Sequence, residues 1–238
     1  MKLITQKVVI ASAFSWLSAA CSGPVTADPE LKLYAMDCGA IEVEDMSSFS
    51  IDGAFAGQSY SLVVPCFLIR HPQGDLLWDT GFEQSLVDSP DGLQGGGFHS
   101  TMSVRLTDQL NELGLDPSNI EYVSISHSHP DHAGNLGLFA ASTFVVSVAE
   151  HAYMFSQAAR ANAGTFSSYS DVEHSNTIKF EDEYDLFGDG KVVIVTLPGH
   201  TPGSTVLQLD LENAGTVLLT GDLITLSLIH ISEPTRPY

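Results

Sequence analysis

At 238 residues and 25.5 kDa the chain is long enough to bury one sizeable core. Its 44% hydrophobic and 16% charged content is that of a globular protein and excludes a disordered one. Nine Lys and Arg against 29 Asp and Glu give 9 − 29 = −20, a field that repels a phosphate backbone and argues against nucleic acid as a partner.

Residues 1–7 carry two lysines, residues 8–20 form an almost uninterrupted apolar run, and "SAAC" closes it at Cys21. The pattern predicts an export signal over residues 1–27, either with Cys21 lipidated or with cleavage after Ala27 in "VTA" to release a freely soluble product. The apolar run is too short for a stable spanning anchor. The expected location is therefore the periplasm or, for a lipoprotein, the outer membrane, with membrane attachment through Cys21. Export implies an oxidising compartment, in which Cys38 and Cys66 either pair or remain two buried thiols.

From residue 31 onward, short apolar runs alternate with turn signals. "LKLYAMDCG" and "SLVVPCFLIR" read as strands, and "HPQGD" turns the second of them into a returning strand, "LLWDTG", to make a hairpin. Residues 89–99, "SPDGLQGGGFH", read as a glycine-rich loop. Met102, Leu106, Leu110 and Leu113 then recur at helical spacing, predicting a helix over 101–113 whose apolar stripe is core, with Gly114 to stop it.

"NIEYVSIS" is the next strand, and "STFVVSV" follows it. "AEHAYMFSQAARA" reads as one helix and residues 161–176 as irregular. "GDGKVVIVTL", "STVLQLDL" and "GTVLLT" are three further strands. Strands with occasional helices in both halves predict two sheets covered by helices, and no repeat of fixed period is visible. The acidic runs at 42–45 and 181–185 read as solvated faces. Tyr153, Met154 and Phe155 read equally as the wall of an apolar ligand pocket or as packing.

The densest chemistry is "HSHPDH", which places His127, His129, Asp131 and His132 just past a strand. Neutral imidazole and carboxylate at that density suit zinc, iron, manganese or cobalt. Two further signals follow strands: "LPGHTPG" with His200 and "LLTGDL" with Asp222. Each sets one ligand-type side chain among glycines, which let the backbone turn sharply and come close to a metal. His99, His151 and His174 have ligand chemistry but no such surroundings and read as ordinary polar residues.

The set H-S-H-P-D-H, P-G-H-T-P-G and T-G-D, in this order, resembles the metallo-β-lactamase-fold hydrolase superfamily. More narrowly, "LYAMDCGAIEVEDMSSFS", "YSLVVPCFLIRHPQGDLLWDTGF" and "YDLFGDGKVVIVTLPGHTPGS" are similar to the N-acyl homoserine lactonases within it. The resemblance implies an α/β fold, an αββα sandwich of two mixed β-sheets flanked by helices. It implies two divalent metal ions, with zinc the first choice and iron, manganese or cobalt the others. His127, His129 and His200 would bind the first ion, Asp131 and His132 the second, and Asp222 would bridge them.

A metal-bridging hydroxide would then open a small-molecule lactone or ester, with Asp131 also orienting the nucleophile or passing a proton to the leaving group. Asp79 in "WDTG" is similar to the superfamily aspartate that holds a ligand imidazole in one tautomer, or it closes a turn. Thr201 and Thr220, beside two of the expected ligands, read first as plain turn or strand residues.

Two departures from the family pattern stand at the end of the chain. The family tyrosine three residues past the bridging aspartate is Thr225 here, and the family's seventh ligand, a later histidine, has no counterpart; His230 is not read as one. Residues 226–238, "LSLIHISEPTRPY", match the translation of a transposase adaptor used in preparing sequencing libraries. The expectation is a hydrolase domain over 28–225, incomplete at its C-terminus, followed by a non-native read-through tail.

The same ligands would also serve a metallo-β-lactamase or a glyoxalase-II-like thioesterase. No Lys or Arg immediately follows Asp222 to receive a drug carboxylate, however. The non-enzymatic alternative is an exported metal-binding lipoprotein.

Overall fold

The computed structural model describes residues 30–49, 53 and 55–224. The expectations for residues 1–27 and 226–238, for Cys21, Thr225 and His230, lie outside the described residues.

Strand β1 (Lys32–Val43) pairs antiparallel with β2 (Tyr60–His71), which returns through the expected hairpin into β3 (Gly74–Trp78). The β1–β2 register sets Met36 opposite Cys66 and then slips between Asp37 and Ala40, which brings Cys38 over Cys66. The two sulfurs are bonded, with Cα atoms 5.8 Å apart, so the reading of two free thiols gives way.

Residues 89–99 are not simply a loop. They carry β4 (Leu93–Gly95) and the start of β5 (Phe98–Thr101), and β5 pairs with the outer half of β1, Ala40 facing Thr101 and Val43 facing Phe98. The glycines hide this extended backbone because its partner is distant in sequence. Helix α1 (Leu106–Glu112) starts later than the apolar spacing suggests, since Ser100 and Thr101 belong to β5, and Met102 lies outside the helix. Leu106 and Leu110 are fully buried core residues, as their spacing predicts.

The chain continues through β6 (Tyr122–Ser124), α2 (Pro130–Ala133), β7 (Thr143–Ser147) and α3 (Val148–Met154). It goes on through α4 (Gln157–Ala161), α5 (Ala163–Ser167), β8 (Thr177–Phe180) and β9 (Glu183–Asp185). The last elements are β10 (Val192–Thr196), β11 (Thr205–Leu211) and β12 (Gly215–Leu219). The single helix expected over 149–161 breaks at Phe155, because the Ser156 hydroxyl accepts from the backbone N–H of Ala159 and caps a new helix. The acidic run at 181–185 contains β9, in which Tyr184 pairs with Ile194 and packs on the core.

Two sheets result. One has eight strands in the order β4-β5-β1-β2-β3-β6-β7-β8, antiparallel up to β3 and parallel from β3 through β8. The other has the order β12-β11-β10-β9, with antiparallel pairing throughout its described strands. Alternate side chains of β3 serve different layers: Leu77 packs among the helices, while Leu76 and Trp78 pack against Ile194, Leu207 and Leu209 of the facing sheet. All three are fully buried, which is why β3 reads as a continuous apolar run and not as an alternating one.

The parallel strands β3, β6 and β7 end on the same rim, and β10 and β12 of the second sheet run out toward it. A backbone hydrogen bond of 2.8 Å from Thr205 N to Ser126 O joins the sheets there. Crevices beyond the carboxyl ends of parallel strands are where α/β folds place ligands.

Candidate metal centre

The expected residues arrive at this rim on separate segments. Past β6 the chain bends at Ser126 and brings the His127 and His129 rings to the same place, their centroids 4.5 Å apart. Pro130 takes the first position of α2, with His129 as the N-terminal flanking residue, and the new turn directs Asp131 and His132 elsewhere. His200 comes from the β10–β11 connection and Asp222 from the short 3-10 turn after β12.

His127 Nε2 and His200 Nε2 each lie 2.9 Å from His129 Nδ1. Asp222 Oδ2 is 3.4 Å from His200 Nε2 and 3.9 Å from His127 Nε2, while its Oδ1 is 3.2 Å from His132 Nε2. Asp131 Oδ2 lies 3.4 Å from His132 Nε2. Potential ligand atoms thus form two groups, His127–His129–His200–Asp222 and Asp131–His132–Asp222, each within 4.8 Å, and Asp222 belongs to both. His99, His151 and His174 belong to neither group.

The donor set fits cations. A neutral imidazole has one N–H and one lone pair. The single lone pair of His129 Nδ1 can accept from one of its two facing nitrogens and not from both. A cation at the centre takes all three lone pairs at once, and carboxylate and imidazole are what divalent zinc, iron, manganese and cobalt accept.

The electrostatics separate the two groups. Burial first, then the imidazoles of His132, His129 and His200, hold His127 neutral far below its ordinary range. Burial and His200 likewise push His129 down. For His132 burial works in the same direction, but the charge of Asp79, with hydrogen bonds that His132 donates to Asp131 and Asp222, outweighs it and raises His132 well above 6.5. Burial opposes the charge of Asp131, and the hydrogen bond to His132 still keeps its carboxyl below the usual range.

Asp79 does more than close a turn. It follows β3 with a left-handed backbone, φ 58°, uncommon for a residue with a side chain. Its carboxylate accepts from His132 Nδ1 at 3.0 Å, from Ser126 N at 2.6 Å and from the Ser126 hydroxyl at 2.9 Å. His132 Nε2 is thereby left to face Asp131 and Asp222. Thr80 adds support by donating N–H and O–H to the His132 carbonyl, at 2.7 and 3.1 Å.

The glycines of the His200 and Asp222 segments press on protein. A Cβ on Gly203 would stand 2.0 Å from the backbone N of Glu150, and one on Gly221, at φ 50°, would stand 2.5 Å from Ser126. The Thr201 hydroxyl donates to Glu150 at 2.6 Å. Glu150 is the residue the motifs do not reveal. The available signal was local: "SVAE" after an apolar strand is a Ser-x-x-Glu helix start, and the Ser147 hydroxyl indeed accepts from Glu150 N at 3.1 Å.

A cavity of about 960 Å³ opens beside the two groups. Phe49, Leu62, Phe82, Phe98, Leu218 and Leu219 line it together with His129, Asp131, His132, His200 and Asp222. The β4–β5 hairpin contributes Leu93, Phe98 and Ser100 to the lining. Tyr153, Met154 and Phe155 do not line the cavity: Met154 is buried in the helix-side core with Phe155 packed against it, so packing holds for these two, while Tyr153 is exposed.

Residues 60–233 match the Metallo-beta-lactamase superfamily. The chain is 31% identical over 217 residues to the N-acyl homoserine lactonase AttM of Azorhizobium caulinodans, covering 87% of this chain and 81% of that protein. It is 29% identical over 199 residues to the N-acyl homoserine lactonase AiiA of Bacillus thuringiensis subsp. kurstaki, covering 80% and 75%. Among solved structures, an N-acyl homoserine lactone hydrolase with N-hexanoyl-L-homoserine bound at its catalytic metal centre superposes with a TM-score of 0.67 at 28% identity, covering 80% of this chain and 74% of that one. The chain belongs to the metallo-beta-lactamase superfamily, among the relatives of the N-acyl homoserine lactonases.

Proposed function

We propose that the protein is a dinuclear metal-dependent lactonase that opens the ring of N-acyl homoserine lactones and so quenches quorum signals. The observation that carries this reading is the position of Asp222, one oxygen facing His200 and His127 and the other facing His132, in the lining of an apolar cavity. His127, His129 and His200 would hold the first cation, Asp131 and His132 the second, and Asp222 would serve both; zinc suits this set, with iron, manganese and cobalt as substitutes. Bound cations supply Lewis acidity toward the carbonyl and lower the pKa of water to near neutrality.

The protein's own groups do the rest. Water adds to the carbonyl carbon, the ring C–O bond breaks, and the departing oxygen takes a proton, giving a hydroxy acid. Asp131, ionised and lining the cavity, orients the water and carries that proton to the leaving oxygen. Phe98, Phe82 and Leu218 take the acyl chain and exclude water from its flank. Lactonase relatives that cover most of this chain support the substrate class. The leader sequence and the Cys38–Cys66 bond support an exported protein working in an oxidising compartment, free or attached through Cys21.

The test is hydrolysis of a panel of N-acyl homoserine lactones by zinc-loaded protein, followed by proton release, beside a chromogenic cephalosporin and a glutathione thioester. Lactone opening alone is the expected result. Turnover of the cephalosporin or the thioester without lactone opening would reject the proposal, and bound metal with no turnover would favour a metal-binding lipoprotein.

A further inference from the structure

Glu150 sits in the first turn of α3 with about 1% of its surface exposed. Its Oε1 accepts from Ser128 N at 2.8 Å and from the Ser128 hydroxyl at 2.7 Å. Its Oε2 accepts from the Thr201 hydroxyl at 2.6 Å and from Gly203 N at 3.2 Å. Ser128 stands between His127 and His129, and Thr201 follows His200. One carboxylate oxygen therefore serves each of the two segments that bring the three imidazoles together.

The surroundings close the same joint. The Ser147 hydroxyl accepts from Glu150 N and donates to the Gly203 carbonyl at 2.7 Å, and Gly203 packs too closely on α3 to carry a side chain. Among the described residues no Lys or Arg pairs with Glu150; hydrogen bonds alone offset its buried charge. Burying a carboxylate is unfavourable, and apolar residues of similar volume fill such space at least as well. What a carboxylate adds is a rigid plane with acceptors at both ends.

We propose that Glu150 is the positioning residue of the first cation site. Its carboxylate sets the separation between the His127–His129 segment and the His200 segment, so the three imidazole nitrogens converge before a cation arrives. The second group depends on a different brace, Asp79 and Thr80 holding His132. The inference rests on the metal-site reading above but does not require that the substrate be a lactone.

The probe is Co(II), titrated into metal-free protein and followed by visible absorption, with Asp131→Ala as the background that leaves the three-histidine site to be read alone. Glu150→Gln keeps an acceptor toward Ser128 but turns an N–H₂ toward Gly203 N, so its expected effect is a 10- to 100-fold weaker first site, about what loss of a partner behind a metal ligand brings. In the Asp131-containing protein the second site should stay within about twofold.

Thr201→Val removes a single donor and should weaken the first site in the same direction by less; it decides the matter if Glu150→Gln does not fold. Ile194→Val, in the core between the sheets, lowers stability without this effect. An unchanged first-site affinity, or an equal fall with Ile194→Val, would overturn the inference. A wild-type protein that binds no Co(II) would overturn the metal-site reading and this inference with it. Tight Co(II) binding lost in Glu150→Gln, together with no lactone turnover in the wild type, would sustain the inference and reject only the lactonase reading.

Discussion

Asp79 accepts a hydrogen bond from His132 Nδ1 at 3.0 Å from a backbone held at φ 58°. Asparagine tolerates that backbone about as well as aspartate does, so Asp79→Asn removes the charge without adding strain. The expected outcome is a second cation bound about 10- to 100-fold more weakly, with the first little changed. Competition titration against a chromophoric chelator reads both constants.

The two groups should respond differently to pH. His132 is raised above 6.5 in the folded, metal-free protein, so it must release a proton to accept a cation. His127 and His129 are lowered and have none to release at neutral pH. Lowering the pH by one unit from neutrality should therefore weaken the second site about tenfold and the first far less. Calorimetric titration in buffers of different ionisation enthalpy would show about one proton released with the second cation and about none with the first.

The stability of the metal-free protein follows the same signs. The raised His132 contributes stability that is fully present below 6.5 and is lost as the pH rises through its folded value. The lowered His127 and His129 contribute stability that is present above 6.5 and is lost as the pH falls toward their folded values. Urea midpoints should decline on both sides of neutrality. Replacing His132 with Asn should remove the alkaline decline and leave the acid one.

The Cys38–Cys66 bond closes a separation of 28 residues and ties β1 to β2. Loop-closure entropy for that span corresponds to about 3–4 kcal/mol. Cys38→Ser with Cys66→Ser should lower urea-unfolding stability by roughly that amount. Because Phe82 N donates to the Cys38 carbonyl at 3.3 Å, just past the Asp79–Thr80 brace, second-site affinity should fall as well.

The apolar cavity predicts how activity varies with the acyl chain. Each methylene it buries is worth up to about 0.8 kcal/mol, about a fourfold gain in kcat/KM. The gain should continue until the space lined by Phe98, Leu62 and Leu218 is filled and then level off. Phe98→Ala should flatten the rise for long chains while leaving short-chain lactones nearly unaffected, read from kcat/KM across a chain-length series.

Much of this site was legible in local sequence because its residues follow strands that announce themselves. "NIEYVSIS" and "GTVLLT" are short β-branched runs that end in the histidine segment and in Asp222. What escaped depends on distant partners. The β4–β5 hairpin is extended because β1 offers it an edge, and the glycines in "QGGG" carry no trace of that. Glu150 lies in a helix whose sequence shows only a cap; its role comes from two segments, one before it in the chain and one some 50 residues after it. The break at Ser156 was visible as a second capping serine and was masked by the continuous apolar spacing around it.

The central claim is that two cations share Asp222. Anomalous scattering recorded across the zinc absorption edge, from crystals grown with zinc, tests it most directly. The account predicts two zinc peaks, one among His127, His129 and His200 and one beside Asp131 and His132, with the Asp222 carboxylate reaching both. A single peak, or two peaks with Asp222 bound to neither or only one, would contradict it.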